Sequence, residues 1–151
     1  METLVIQTVR DLLGLLEVPF SNITKETIAG QEVFTIQAED ARTLIGPHGD
    51  TIYALDMIVK KIVEKKLATE VHDIHFLIDV NGYRAQKIRD LEQKAKMMAD
   101  RARSFQYDVE LEPMSAYERL IVHTVLQGEE HITTESQGEG RGRRIVIKYA
   151  A

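Results

Sequence analysis

The chain has 151 residues, of which 44% are hydrophobic and 28% charged, so it can form one ordinary domain or two small domains with packed cores. It has no cysteine, which excludes disulfide bonds and cysteine metal sites and fits a cytoplasmic protein. No apolar run approaches the roughly 18 residues of a membrane-spanning helix, so we expect no membrane insertion, and the net charge of −5 argues against a broadly basic nucleic-acid binder.

The first half of the chain predicts the element order helix, strand, strand, helix, helix, strand. Apolar residues at helical spacing indicate the helices, and Gly30 marks a hairpin between the first two strands. The Asn81-Gly82 pair is the predicted boundary between two domains. The predicted bounds are 3–17, 21–28, 31–38, 40–45, 50–67 and 73–80.

The second half begins with a long basic helix over 83–104, and residues 83–103 hold 7 basic against 3 acidic side chains. Its apolar residues alternate spacings of three and four, which predicts either packing within the chain or a homodimer seam. These residues are Ile88, Leu91, Ala95, Met98, Ala102 and Phe105. A strand at 107–111, a short helix and a hairpin of 132–136 with 143–149 complete the predicted elements.

The short helix carries Arg119 and His123 four residues apart, about one helical turn, so both side chains leave one face. Ser115 and Glu118 have the spacing of a capping box. An arginine fork suits phosphate, and a histidine ring can donate, accept or stack, so this stripe is typical of a contact with a negatively charged polymer. The alternative is a solvated polar face, opposite apolar positions at Tyr117, Leu120, Ile121 and Val125.

The pattern Pro-Met-Ser-x-Tyr-Glu-Arg-x-x-x-His over 113–123, followed by Ile-Thr-Thr-Glu-Ser-x-Gly at 132–138 and Arg-Arg-Ile-Val-Ile at 143–147, resembles the R-3-H domain. That module is named for its Arg-x-x-x-His motif and binds single-stranded nucleic acid. The resemblance covers about the last third of the chain and implies that Arg119 holds phosphate beside His123. It also implies that the arginines of the glycine-rich turn extend the contact, namely Arg141, Arg143 and Arg144.

A second motif, Ile45-Gly46-Pro47-His48-Gly49, lies between two predicted helices. Two glycines let the backbone turn sharply and approach a ligand, and the following helix presents its N-terminal N–H groups. With the surrounding element order, the motif resembles a KH domain of type II over roughly residues 1–80. The resemblance implies a four-nucleotide clamp at Gly46–Gly49, a floor that includes Ile45 and Ile52, and a wall formed by the strand of Val33 and Ile36.

The motif departs from the family pattern, which has Lys or Arg in the loop. Pro47 has no N–H, His48 is mostly neutral at pH 7, and Asp50 repels phosphate. Two interpretations therefore stand for this half of the chain. Either the loop holds RNA weakly, or the fold serves in protein contacts.

Together the two halves resemble the bacterial Jag (SpoIIIJ-associated) family. We expect an α+β fold with a KH type II domain at 1–81 and an R-3-H domain at 82–151, the latter a long helix followed by β-α-β-β. Because the chain begins at the first KH helix, we expect the N-terminal Jag domain of the family to be absent. The resemblance implies a cytoplasmic regulator of cell elongation, division or sporulation that binds single-stranded RNA or single-stranded DNA.

The alternative is an interaction module whose KH half binds a small single-KH protein or forms a homodimer. We expect no enzyme activity and no cofactor, because a nuclease that uses His123 as general base would need a second catalytic group or a metal. His72 and His75 are three residues apart at the entry to a predicted strand, a spacing that places them on opposite faces, so we expect no metal site there.

Overall fold

Each half of the chain has its own three-stranded sheet and its own hydrophobic core. In the computed structural model, which describes residues 1–68 and 74–151, unit 1 is Met1–Ala85 and unit 2 is Gln86–Ala151. The described residues contain five α-helices and six strands. The prediction of a fold that mixes helices and strands is confirmed, and the strands form two small sheets.

Unit 1 follows the order α-β-β-α-α-β. A 3₁₀ turn at Pro47–Gly49 separates its second and third helices. In the sheet, β2 is central, antiparallel to β1 and parallel to β3. The elements are α1 (Glu2–Leu15), β1 (Asn22–Ile28), β2 (Gln31–Gln37), α2 (Arg42–Ile45), α3 (Asp50–Leu67) and β3 (Leu77–Val80).

The hairpin between β1 and β2 has a two-residue turn with both residues in the left-handed region. Ala29 has φ +48° and Gly30 has φ +76°, and Ile28 pairs directly with Gln31. This is the turn geometry whose twist matches paired antiparallel strands. The glycine at the second turn position is therefore the feature that sets the register of the hairpin.

The core of unit 1 lies between α1, α3 and the sheet. Phe34 and Phe76 meet edge to face with ring centroids 5.6 Å apart, an arrangement that aromatic pairs prefer. Leu16, directly after α1, and Ile58 of α3 lie outside this core, with side chains that are 60% and 49% exposed. The fully buried apolar residues contributed by the helices are Val5, Val9, Leu13, Ile52, Val59 and Val63.

The first turn of the next helix belongs to unit 1. Asp79 is fully buried, and its carboxylate accepts hydrogen bonds from the backbone N–H groups of Arg84 and Ala85 at 2.7 and 2.8 Å. Arg84 also donates to the Asp56 carboxylate at 3.0 Å. A carboxylate at a helix N-terminus satisfies N–H groups that have no partner within the helix.

Unit 2 is a helix followed by β-α-β-β. Its strands are all antiparallel in the order β4-β6-β5, with Val109 opposite Ile147 and Ile132 opposite Tyr149. A 3₁₀ turn at Gly140–Gly142 lies within the final hairpin. The elements are α4 (Tyr83–Phe105), whose first three residues lie in unit 1, then β4 (Val109–Glu110), α5 (Ala116–Leu126), β5 (Ile132–Gln137) and β6 (Arg144–Tyr149).

The regularly spaced apolar residues of α4 pack within unit 2. Ala95, Ala99 and Ala102 are buried with residues of α5 and β6, and Leu91 and Met98 pack against them. Phe105 departs from the prediction, because its side chain is 68% exposed. Small alanine side chains let α4 lie close to its neighbours. The row of buried residues ends before Phe105, the last residue of the helix.

Two findings concern membranes and metals. Among the helices that the structure describes, none has the length and apolar character needed to cross a membrane. In residues 1–68 and 74–151 no group of three or more His, Asp or Glu side chains could hold a metal ion. His72, and the start of the strand predicted at 73–80, lie outside the described residues.

Candidate nucleic-acid interface

A capping box fixes the start of α5. The Glu118 N–H donates to Ser115 Oγ at 3.2 Å, and the Ser115 N–H donates to Glu118 Oε2 at 2.8 Å. These two bonds satisfy backbone groups at the helix start reciprocally, and the prediction of the box is confirmed. The helix therefore begins at Ala116, and Arg119 lies in its first turn.

The buried face of α5 differs from the predicted one. Ile121, Val122 and Leu126 are buried, whereas Leu120 is 52% exposed, so the predicted place of Leu120 in the apolar face is wrong. The helix packs against both α4 and the strands, which rotates the buried face toward Val122. As a result Arg119 and His123 are half-buried at the border of the packed face, not at the centre of an exposed stripe.

Arg119 is held by backbone. Its Nη1 donates to the Met114 carbonyl at 2.6 Å, and within the described part of the chain it forms no ion pair. Guanidinium has five N–H donors, so one bond to a carbonyl orients the fork and leaves other donors for a ligand. The full positive charge of Arg119 therefore remains available to an anion.

His123 is bound to the neighbouring strand. Its Nδ1 lies 2.6 Å from Thr134 Oγ1 on β5, where one of the two groups donates. Burial first, and the positive charge of Arg119 second, lower the pKa of His123 below its ordinary value of 6.5. The ring is therefore neutral at pH 7, a form that can stack or hydrogen-bond but adds no charge.

The glycine-rich turn of the final hairpin presents three arginines in different situations. Arg143 Nε donates to Ser136 Oγ at 2.8 Å, and this guanidinium has no carboxylate partner among the described residues. Arg144 donates through Nε and Nη2 to one oxygen of Glu110 at 2.9 and 2.6 Å. Arg141 is exposed and forms no ion pair in residues 1–68 and 74–151.

The start of α5 and the hairpin turn enclose one groove of about 530 Å³. Arg119 and Arg141 both line it, so the structure brings these two predicted cations together. Glu118 also lines the groove, but its carboxylate is engaged in the capping box. We call this site the Arg119 groove; the rest of its lining is Pro113, Met114, Ser115, Ala116 and Gly140.

Other predicted site residues lie around the groove without lining it. His123, Arg143 and Arg144 are outside its lining. Sequence reasoning missed the two β5 hydroxyls that position His123 and Arg143, which are Thr134 and Ser136. Their alternate positions along a strand are the pattern that could have indicated one shared face.

The Gly46–Gly49 turn of unit 1 is set by its two glycines. Gly46 has φ +71°, and a Cβ on it would overlap the Thr51 hydroxyl. Gly49 has φ +80°, and a Cβ there would lie 3.1 Å from ring atoms of both Tyr53 and Tyr83. A side chain at either position would be strained in this backbone conformation, so the turn as observed depends on the two glycines.

The same turn leaves few donors for a ligand. The Gly46 N–H donates to the Arg42 carbonyl at 2.9 Å, and the Gly49 N–H donates to the Gly46 carbonyl at 3.2 Å. Pro47 has no N–H, so at most the His48 N–H remains among the four positions. Pro47 and His48 are exposed.

Most of the apolar residues expected beside this turn are fully buried. Ile45 is half-buried, but Ile52, Val33 and Ile36 are 0% exposed. A fully buried side chain offers no surface to a base, so Ile52 does not line a floor in this structure, whereas β2 as a wall of the groove stays a prediction. Ile36 and Ile52 belong to the hydrophobic core of unit 1, and Val33 is equally inaccessible.

Comparison with known proteins gives matches in both units. The family model of the R-3-H domain matches residues 88–149. The RNA-binding protein KhpB of Clostridium symbiosum is 33% identical over 74% of this chain and 49% of its own length. The RNA-binding protein KhpB of Bacillus subtilis is 31% identical over 82% of this chain and 64% of its own length.

A third relative, the RNA-binding protein KhpB of Lactiplantibacillus plantarum, is 32% identical over 69% of this chain and 31% of its own length. The chain thus spans about a third to two thirds of the length of these relatives.

Proposed function

We propose that this chain, which contains an R-3-H domain at residues 88–149 and is homologous to bacterial KhpB proteins, binds single-stranded RNA through the Arg119 groove. The observation that carries the proposal is the pair of arginines in one groove. Neither Arg119 nor Arg141 has a carboxylate partner within the described residues. The name of the relatives, RNA-binding protein, supports RNA as the ligand.

The chemistry of the groove suits a phosphodiester. Charge-assisted hydrogen bonds from guanidinium to phosphate are shorter and about twice as strong as neutral ones. The backbone carbonyl of Met114 holds Arg119 in place, so less side-chain freedom is lost when an anion binds. Two arginines around one groove can bind two oxygens of a single phosphate.

The surrounding residues extend the contact to different degrees. His123 is neutral and lies beside Arg119, where it stacks on a base or hydrogen-bonds to sugar or phosphate. Arg143, which has no carboxylate partner among the described residues, contributes to binding the next phosphate. Arg144 contributes least, because its charge is already paired with Glu110.

We further assign unit 1 to the KH type II fold, with a proposed domain boundary at residues 81 and 82. The α-β-β-α-α-β order and the Gly-x-x-Gly turn between α2 and α3 support this assignment. The Gly46–Gly49 turn, flanked by Ile45, then gives a second and weaker RNA contact. Two linked weak sites gain affinity through effective concentration.

The cellular role that the Jag resemblance implies is regulation in cell elongation, division or sporulation. Single-stranded DNA offers the same phosphates, so a 2′-hydroxyl contact would be needed to favour RNA. A competition between RNA and DNA of one sequence measures that preference directly.

A salt titration of labelled single-stranded RNA tests the proposal. We expect Arg119→Ala to weaken binding by about 10- to 100-fold, since hydrogen bonds to charged groups contribute about 1.5–3 kcal/mol. The slope of log affinity against log salt should fall by about one. The matched control is Arg10→Ala on α1, an exposed arginine of unit 1. Equal affinities for Arg119→Ala and the control would overturn the proposal.

A second candidate function is protein interaction through unit 1, with a small single-KH protein or a second copy of the chain. Its support is a group of exposed apolar side chains on α3, of which Tyr53 is 47%, Met57 65% and Ile58 49% exposed. Sedimentation velocity of the wild type and of Met57→Asp tests the homodimer form. A monomer at all concentrations would exclude self-association through this face.

A further inference from the structure

A row of exposed side chains runs along α4 in unit 2. Gln93, Met97, Arg101 and Phe105 follow one another at intervals of four residues, so they share one face of the helix. Met97 is 60% and Phe105 is 68% exposed, and Tyr107 just beyond the helix is 42% exposed. The opposite face holds the buried alanines of the unit 2 core. We call these five residues the α4 ridge.

The two aromatic rings of the α4 ridge are positioned by local structure. Gln106 has φ +54°, and the Tyr107 N–H donates to the Ala102 carbonyl at 3.3 Å, which closes the helix. Phe105 and Tyr107 then lie with ring centroids 5.9 Å apart and planes inclined by 39°. A left-handed residue that is not glycine is uncommon, and here Gln106 in that conformation brings the rings on either side of it together.

Arg101, the cation of the ridge, is hydrogen-bonded to one of its aromatic residues. Its Nε donates to the Tyr107 hydroxyl at 2.9 Å, and it has no carboxylate partner in the part of the chain that the structure describes. The hydrogen bond orients the two side chains relative to each other. An arginine fork beside a ring can bind phosphate while the ring takes a base.

Arg101 is the one charged side chain of the ridge. The other three cations of residues 93–107 are paired with carboxylates, Lys94 with Glu112, Lys96 with Glu92, and Arg103 with Asp100 and Glu129. Scattered exposed apolar residues are normal on protein surfaces. Two rings and an arginine without a carboxylate partner among the described residues, together on one helix face, are complementary to an unpaired nucleic-acid strand rather than to an apolar protein surface.

We propose that the α4 ridge stacks unpaired bases of the single-stranded RNA whose phosphate lies in the Arg119 groove, with Phe105 and Tyr107 against the bases and Arg101 on the adjoining phosphate. This inference rests on the proposed function and adds a second site of a different chemical kind to unit 2.

The length of β6 separates the two sites. Arg144, which follows the hairpin turn of the groove, begins β6, and Tyr149 ends it. The Tyr149 N–H donates to the Asp108 carboxylate at 3.1 Å, which places Tyr107 near that far end. Five strand intervals at roughly 3.3 Å correspond to about 17 Å. A short oligonucleotide in the groove therefore need not touch the ridge, whereas a longer one can contact both sites.

The test is fluorescence anisotropy of labelled oligouridine of about 4 and about 16 nucleotides, which bracket single-strand site sizes. The proteins are the full chain, Phe105→Ala, Phe105→Leu and Arg119→Ala, with Leu16→Ala as an exposed apolar control from unit 1. We expect both Phe105 variants to weaken binding of the long strand about fivefold or more and to leave the short strand unchanged. Thermal melting verifies that each variant is folded.

The variants separate failure of the inference from failure of the proposed function. Arg119→Ala should weaken both strands if the groove binds phosphate. If it does so while both Phe105 variants bind the long strand like the wild type, the ridge proposal is overturned and the groove stands. If only the Phe105 variants lose affinity, the ridge stands as the RNA contact and the groove does not.

Two further outcomes would overturn the ridge proposal. Phe105→Leu binding the long strand like the wild type, while Phe105→Ala does not, would show that apolar volume matters and the ring does not. A change of sedimentation coefficient in the Phe105 variants, without any change in RNA affinity, would make the ridge a protein interface. Absence of RNA binding by the wild type would remove both proposals.

Discussion

The Gly46–Gly49 turn of unit 1 and the Arg119 groove of unit 2 offer a phosphate very different groups. The turn has at most one available backbone N–H and no cationic side chain, and Asp50 follows it. The groove has two guanidinium groups without carboxylate partners among the described residues. A backbone geometry suited to close approach and a charge suited to anion binding are therefore separate properties, and each unit has one of them.

The largest expected effect tests whether the groove binds one phosphate with both arginines. Arg119→Ala and Arg141→Ala each remove a charge-assisted contact, and the double variant should bind RNA at least about 100-fold more weakly. If both arginines hold the same phosphate, the double-mutant coupling should exceed about 0.5 kcal/mol. Additive losses would instead assign the two arginines to different phosphates.

Substitution of Gly46 should separate stability from affinity. In Gly46→Ala the new Cβ would overlap the Thr51 hydroxyl in a backbone with φ +71°. We expect a loss of about 1–3 kcal/mol in the free energy of unfolding, measured in urea, as for other strained backbone positions. Below the unfolding transition, RNA affinity should change less than in Arg119→Ala. Gly14→Ala is the control, because a Cβ at Gly14 meets nothing within 4 Å.

A cation added to the turn should make it more like the groove. Pro47 is exposed, so Pro47→Lys brings a positive charge and a backbone N–H to the Gly46–Gly49 turn without disturbing the core. We expect affinity for long RNA to rise a few-fold and the salt slope to steepen by about one. Pro47→Ala, which adds the N–H alone, is the control. An unchanged salt slope in Pro47→Lys would mean that RNA does not pass this turn.

The smallest expected effect concerns the pH dependence of unit 2. Because burial and Arg119 lower the pKa of folded His123, its contribution to stability is fully present above the unfolded pKa near 6.5. That contribution is lost as pH falls through the lowered folded pKa. Urea unfolding at pH 7.5 and pH 5 should show a smaller loss on acidification for His123→Gln than for the wild type. Equal losses would mean that another group causes the effect.

Much of the secondary structure could be predicted from the sequence because its causes are local. The helix predicted over 50–67 is α3, Asp50–Leu67. A glycine directly precedes it, and its apolar residues follow helical spacing. The capping box of Ser115 and Glu118 depends on residues three apart. The strand predicted over 107–111 is only Val109–Glu110, since strand length depends on a partner strand far along the chain.

The candidate site could be predicted only in part. The motif indicated Arg119, His123 and the arginines of the hairpin turn. It did not show that these side chains differ in how available they are to a ligand. Arg144 is paired with Glu110, which lies 34 residues away in sequence, and no local pattern shows that contact. The periodicity of the apolar residues in α4 places Phe105 in a buried seam, but its side chain is exposed. Periodicity alone does not show where packing along a helix stops.

By itself the sequence determined the local geometry of this protein: the glycine turn at Gly46–Gly49, the start of α5 and the one-turn spacing of Arg119 and His123. These follow from steric limits and from hydrogen bonds between near neighbours. Only the tertiary structure decided which of the predicted arginines pair with a carboxylate. It also decided that Val122 rather than Leu120 is buried, and that Arg119 and Arg141 share a groove. Those outcomes depend on contacts between residues far apart in the chain, which no local pattern specifies.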